Sequence, residues 1–126
     1  MKTKIWIKGR MPGLNDLIAA AKSGRGKFNA YGRTKDQWTA YIKRIVLECG
    51  LNPMPGAKVS FRCVEPNRRR DQDNVIAGAR KLCLDGMVKA GIIPGDGWRH
   101  VELGQDCFDV DKFSPGVEII IEEMGA

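Results

Sequence analysis

The run Arg68-Arg69-Arg70-Asp71-Gln72-Asp73-Asn74 sets three fixed cations against two carboxylates one residue apart. Metal-assisted cleavage of a phosphodiester needs both kinds of group: cations to hold the phosphate backbone, and hard oxygen ligands to hold a divalent metal. A third carboxylate, Asp96, follows in the turn Gly95-Asp96-Gly97. Asp71 and Asp73 fall at a strand-to-helix junction, where extended residues two apart project to one side, so both can face one cation. Helix capping would account for either aspartate without a metal, but not for two of them beside three arginines. Gly-Asp-Gly alone is a turn signature, and with Asp71 and Asp73 it is expected to complete a three-carboxylate cluster.

Beyond the cluster, Asn74, Gly78, Lys81 and Asp85 share one helical face at 100° per residue. Lys81 and Asp85 form an i, i+4 pair, for which a surface salt bridge is the ordinary reading. The functional reading makes Lys81 a phosphate contact, with Asp85 fixing its position or touching the metal shell. Trp98 and His100 flank the Asp96 turn and are left outside the catalytic set, since such residues are more often packed or solvated than reactive.

The elements that must position these residues follow from periodicity. Residues 3–8 alternate as a strand, ended by Gly9 and Pro12, and residues 15–22 make a short helix. Residues 35–49 carry Trp38, Tyr41, Ile42, Ile45 and Val46 at helical spacing and close at Gly50. Residues 57–64 alternate as a half-buried strand, and residues 73–90 form a helix launched from the acidic cluster and stopped by Gly91. Residues 99–110 can form one strand, and the apolar run Val117 to Ile121 within residues 116–123 suits a sheet interior. This order predicts an α+β fold in a single domain spanning residues 1–126: a small mixed sheet of about four strands with two main helices on one face.

A net charge of +6 and a pI near 9.3 favour a polyanionic partner. The segment from Lys22 to Lys35 holds Lys22, Arg25, Lys27, Arg33 and Lys35 with no acid among them, and Phe28 and Tyr31 lie between. It could wrap a phosphate backbone and stack on bases, or be a solvated loop. The start of the chain is too short and alternating for a signal peptide, and no apolar run approaches a membrane span, so a cytoplasmic protein is expected. Cys49, Cys63, Cys83 and Cys107 form no C-x-x-C pair and are expected as buried small hydrophobes, not as a zinc or redox site.

The pattern Arg69-Arg70-Asp71-Gln72-Asp73-Asn74, then Lys81-Leu82-Cys83-Leu84-Asp85-Gly86, then Ala90-Gly91 and a final Asp96, resembles the RusA-type Holliday-junction resolvases, particularly their phage and prophage forms. Pro12-Gly13-Leu14-Asn15 is similar to the Pro-x-x-Asn element that follows the first strand in that family. The resemblance implies that Asp71, Asp73 and Asp96 are the metal-binding acids and that Lys81 is the catalytic or DNA-contacting lysine. Arg69 and Arg70 correspond to basic residues that hold DNA, with Arg68 beside them and Asn74 in support. It also implies a homodimer in the bacterial cytoplasm that uses Mg²⁺, with Mn²⁺ as substitute and no other cofactor, to cut two opposed strands of a four-way junction. Two other functions stay open: a protein that binds branched DNA without cutting it, and a metal-dependent nuclease acting on flaps or other branched substrates.

Overall fold

The computed structural model describes residues 2–22 and 30–124, with the side chains of Ala30 and Tyr31 left out. Eight elements follow in order: β1 (Lys2–Lys8), α1 (Leu14–Lys22), α2 (Ala30–Glu48), β2 (Ala57–Glu65), α3 (Gln72–Lys89), β3 (Val101–Leu103), β4 (Cys107–Val110) and β5 (Gly116–Glu123). The α+β class and the mixed sheet are as the periodicity predicts, with five strands in place of about four and α1 as the short helix expected over residues 15–22.

The sheet order is β1-β5-β2, and β2 carries β3 and β4 one after the other along its far edge. β1 and β2 flank β5 antiparallel, whereas β3 and β4 run parallel to β2. Alternation puts Ile5, Ile7, Val59, Phe61, Ile119 and Ile121 on one face of the sheet, all buried. Ile42 and Val46 of α2 and Leu82 and Met87 of α3 complete that core with no appreciable exposure. Val117, Ile119 and Ile121 of the apolar run in β5, the strand paired on both sides, are therefore buried in the core of a single chain, whereas Ile120 is half-buried on the other face. The opposite sheet face is polar: Arg62 pairs with Asp109 at 2.9 Å and Glu118 at 3.4 Å, and its guanidinium stands 5.8 Å from the Trp6 ring centroid.

Where residues 99–110 read as one strand, the structure makes two. Gly104 and Asp106 explain the break. A Cβ at Gly104 would collide with the Ser60 hydroxyl, so only glycine lets the backbone pass there. Its N–H still donates to the Val59 carbonyl at 2.9 Å. One step on, Asp106 Oδ1 accepts from the Phe61 N–H at 3.1 Å, replacing the ladder bond that the interruption removes. Asp106 is also tied to Arg80 of α3, which fastens the helix to this corner.

The glycine stops behave as predicted. Gly91 takes φ 76°, and the Ile92 N–H donates to the Met87 carbonyl at 3.1 Å, the six-to-one closure of a helix ended by a left-handed glycine. Gly50 takes φ 68° after α2.

The cysteines divide, contrary to the expectation that all four are buried: Cys63 and Cys83 lie in the core, Cys49 and Cys107 are exposed. The exposure of Cys107 follows from its place on the polar sheet face opposite Arg62. Burial pushes the Cys63 thiol up from 9.0 to about 12, with Asp106 and Glu65 adding to the shift, and burial raises Cys83 as well. An unfolded chain therefore releases these protons near pH 9 while the folded chain keeps them. Their contribution is fully present below that pH and is lost as pH rises toward 12. A thiol reagent is expected to titrate Cys49 and Cys107 in the native protein, and all four cysteines only in denaturant. Cys63→Ala is expected to flatten the alkaline fall in stability.

Candidate functional site

β2 ends at Glu65, the chain turns through Asn67, and α3 begins at Gln72. This places Arg68 to Asp73 at the carboxyl ends of the parallel strands β2 and β4, the edge of an α/β crossover where ligands ordinarily bind. Asp71 is the N-cap residue in an extended conformation, φ −64° and ψ 149°, yet its side chain makes no capping hydrogen bond. Asp73 lies in the first turn. Both are exposed, and neither carboxylate has a hydrogen bond or ion pair among the described residues. Capping does not spend these acids.

Two clefts meet here. One, of about 440 Å³, is lined by Leu14, Asn15, Asp71, Gln72, Asp73 and Asn74. The other, of about 530 Å³, runs along Arg68, Arg70, Asp71 and Gln72 toward Phe108 and Val110. Asp71 and Gln72 form the ridge between them, so the acids of one cleft adjoin the cations of the other.

The Pro-x-x-Asn segment forms a wall of this site. The Asn15 N–H donates to Asn74 Oδ1 at 2.7 Å, which ties α1 to the first turn of α3. A Cβ at Gly78 would collide with the Pro12 carbonyl oxygen and lie 2.9 Å from Gly13 Cα. Glycine at position 78 is thus what allows the segment to lie directly on α3.

The three arginines do not share one role. Arg68 and Arg69 are exposed, and their guanidinium groups make no ion pair among the described residues. Arg70 is a structural clamp whose side chain is 15% exposed. Its Nε and Nη2 donate to the two Glu65 carboxylate oxygens at 2.8 and 2.9 Å, its Nη1 to Asp16 at 3.0 Å, and its Nη2 also to the Met11 carbonyl at 3.0 Å. Most of its donors are spent inside the protein, against the expectation that Arg70 holds DNA. Sequence reasoning missed Glu65 and Asp16 because their partnership with Arg70 joins a strand end, a helix start and α1.

The other candidate residues lie elsewhere. Asp96 lines a cavity of about 670 Å³ with Arg80, Leu84, Trp98, Val101 and Met124. Arg80 and Leu84 stand about 14 to 20 Å along α3 from Asp71 at 1.5 Å per residue, whereas one cation bonds its oxygens at about 2.1 Å. The topology gives the reason: Asp96 precedes β3, which begins beside the amino end of β2, while Asp71 follows the carboxyl end of β2. Among the described residues no three acids, histidines or cysteines gather as a metal site, so the expected three-carboxylate cluster does not form within one chain.

Lys81 starts about 12 Å along α3 from Asp73. Its Nζ is 3.8 Å from Asp85 Oδ2, and Lys35 Nζ of α2 approaches the same oxygen at 3.4 Å. Asp85 therefore joins α3 to α2, and the predicted i, i+4 pair is one half of that bridge. Lys22 and Arg33 are exposed at the end of α1 and in α2. Arg25, Lys27 and Phe28, and the side chain of Tyr31, lie outside the described residues. His100 is 3.1 Å from the Pro55 carbonyl through Nδ1, a structural contact.

No helix among the described residues is long and apolar enough to cross a membrane. The chain matches no protein-family model and no curated protein sequence.

Proposed function

We propose that this chain is a divalent-metal-dependent endonuclease selective for branched DNA, which as a homodimer in the cytoplasm resolves four-way junctions by paired nicks, in the manner of the RusA-type resolvases it resembles. The observation that carries the reading is the meeting, at one helix start, of two carboxylates and two arginines that have no side-chain partners among the described residues, Asp71 and Asp73 beside Arg68 and Arg69. Exposed acids and cations side by side contribute little to stability, so the fold does not account for them, and they fit a site completed by a cation and a phosphate.

The donor set suits Mg²⁺ or Mn²⁺, which takes one or two carboxylates and completes its shell with water and substrate phosphate. Asp71 and Asp73 would hold the ion. When bound it supplies Lewis acidity and a more acidic water. Arg68 and Arg69 hold the backbone on either side of the cut, a salt-sensitive and largely sequence-independent grip to which Lys22, Arg33 and the basic segment add. Arg70 keeps Asp71 in register by fixing the strand-to-helix turn. Asp96 joins this cleft only when contributed by a second copy, which makes the dimer part of the chemistry. Lys81 then serves as a phosphate contact along α3.

One specific observation favours a second reading. A single chain brings together only two of the acids, so a protein that binds branched DNA without cutting it fits the same cations and clefts. A labelled synthetic four-way junction and a matched linear duplex, each with and without Mg²⁺, separate the two. Metal-dependent paired nicks on the junction support the endonuclease, and metal-independent binding without product supports the binder. Cutting of flaps in preference to junctions would assign the substrate class differently.

A further inference from the structure

Phe113 is 89% exposed, yet its loop is not loosely held. Asp111 Oδ1 accepts from the Phe113 N–H at 3.0 Å and the Ser114 N–H at 3.2 Å. The Asp111 N–H donates to the Glu65 carbonyl at 2.9 Å, and at the far end of the loop the Pro115 carbonyl accepts from the Gly9 N–H at 3.0 Å. A large apolar ring is thus presented to solvent on a short turn anchored at both ends.

The anchor leads straight to the candidate site. Glu65, whose carbonyl holds Asp111, is the residue whose carboxylate clamps Arg70 beside Asp71. Val110, three residues before Phe113, lines the cleft that Arg68 and Asp71 share, which puts the ring within about 10 Å of chain from that cleft. Cations without an acid partner stand at this rim beside the acids: among the described residues neither Arg68, Arg69 nor Lys112 is paired with an acid, and Lys112 Nζ lies 5.7 Å from the Phe113 ring centroid, while Asp109 is held by Arg62 and Asp111 accepts from its own turn.

We infer that Phe113 is a stacking residue that recognises an unpaired or unstacked nucleobase next to the cleft that Arg68 and Asp71 share, with Lys112 taking the adjoining phosphate. This inference rests on the branched-DNA reading above and goes beyond it by naming the residue that tells branched from linear DNA. In a linear duplex both faces of nearly every base are covered by neighbours, and exposing one costs unstacking energy. At a branch point the stack is interrupted and a base face is available at little cost. A rigid exposed phenyl ring beside phosphate-binding cations gains from that face only where it is offered.

The test is binding without divalent cation, so that cleavage plays no part. Affinities of wild type, Phe113→Ala, Phe113→Leu and Phe113→Trp are measured on a four-way junction and on a linear duplex of the same sequence, with 2-aminopurine at the branch point as a stacking probe. Phe113→Ala and Phe113→Leu are expected to lose about tenfold in junction affinity and nothing on the duplex, and to abolish the change in probe fluorescence. Phe113→Trp is expected to keep both. Equal losses on the two DNAs, or Leu matching wild type, would overturn the stacking role, and unchanged binding by Phe113→Ala would reassign the ring to a protein contact. A wild type that prefers the junction while Phe113→Ala keeps that preference sinks this inference alone. A wild type with no junction preference sinks the branched-DNA reading with it.

Discussion

Asp73→Asn is expected to lower junction cleavage by at least about a thousandfold while leaving junction binding within a few fold, since a metal ligand supplies several kcal/mol to the reaction and little to the backbone grip. Asp71→Asn and Asp96→Asn are expected to behave alike, although Asp96 lies far from the other two acids in its own chain. That distance makes a mixing experiment decisive. If each site takes Asp71 and Asp73 from one copy and Asp96 from the other, a heterodimer of Asp73→Asn with Asp96→Asn carries both lesions in one site and leaves the second intact. Random pairing of co-expressed variants then restores about a quarter of the wild-type sites, and the product shifts from paired cuts to single nicks. No recovery on mixing would mean that Asp96 acts within its own chain. Full activity of Asp96→Asn alone would reduce the site to Asp71 and Asp73.

Arg70→Leu carries the largest expected effect on stability, about 3 kcal/mol, or a fall in Tm on the order of 10 to 15 °C for a domain of this size. The change deletes the bidentate bond to Glu65, the bond to Asp16 and the bond to the Met11 carbonyl, and it leaves a Glu65 carboxylate that is 12% exposed with Arg10 alone, at 3.4 Å. The weakened pairing of Glu65 is the dominant cost, because a nearly buried carboxylate then keeps only the longer Arg10 contact at 3.4 Å in place of a bidentate partner. The double variant Glu65→Leu with Arg70→Leu is therefore expected to recover much of the loss. Thermal melts of the two single variants and the double variant form the cycle that checks this, and strict additivity would show that Arg70 acts through something other than Glu65. Loss of junction affinity in Arg69→Ala with unchanged Tm, set against loss of Tm in Arg70→Leu, would separate the two neighbours by role.

The elements were legible because each is set by a short-range regularity. Alternation in residues 3–8 and 57–64 needs only that one sheet face be dry, the apolar run in residues 116–123 suits a strand inside the sheet, and the 3.6-residue recurrence from Val75 to Val88 needs only one buried helix face. Gly50 and Gly91 could be read as stops because the left-handed conformation at a helix end is a property of one residue. The proximity of Asp71 to Asp73 was readable for the same reason: two residues at one helix start cannot be far apart.

What the tertiary structure decided are the relations between segments distant in the chain. That Arg70 is a clamp depends on Glu65, Asp16 and Met11 arriving together, and nothing in a run of three arginines distinguishes the one that will find acids from the two that will not. That Asp96 stands apart from Asp71 depends on β3 running parallel to β2, which carries the chain back to the amino end of that strand before Asp96 is placed. The split of residues 99–110 into two strands goes with Gly104 lying so close to Ser60, a residue some forty positions away, that no side chain would fit. Spacing along a chain limits which side chains can meet within a turn or two of helix. Beyond that reach, only the direction of the strands says which carboxylates share a cleft.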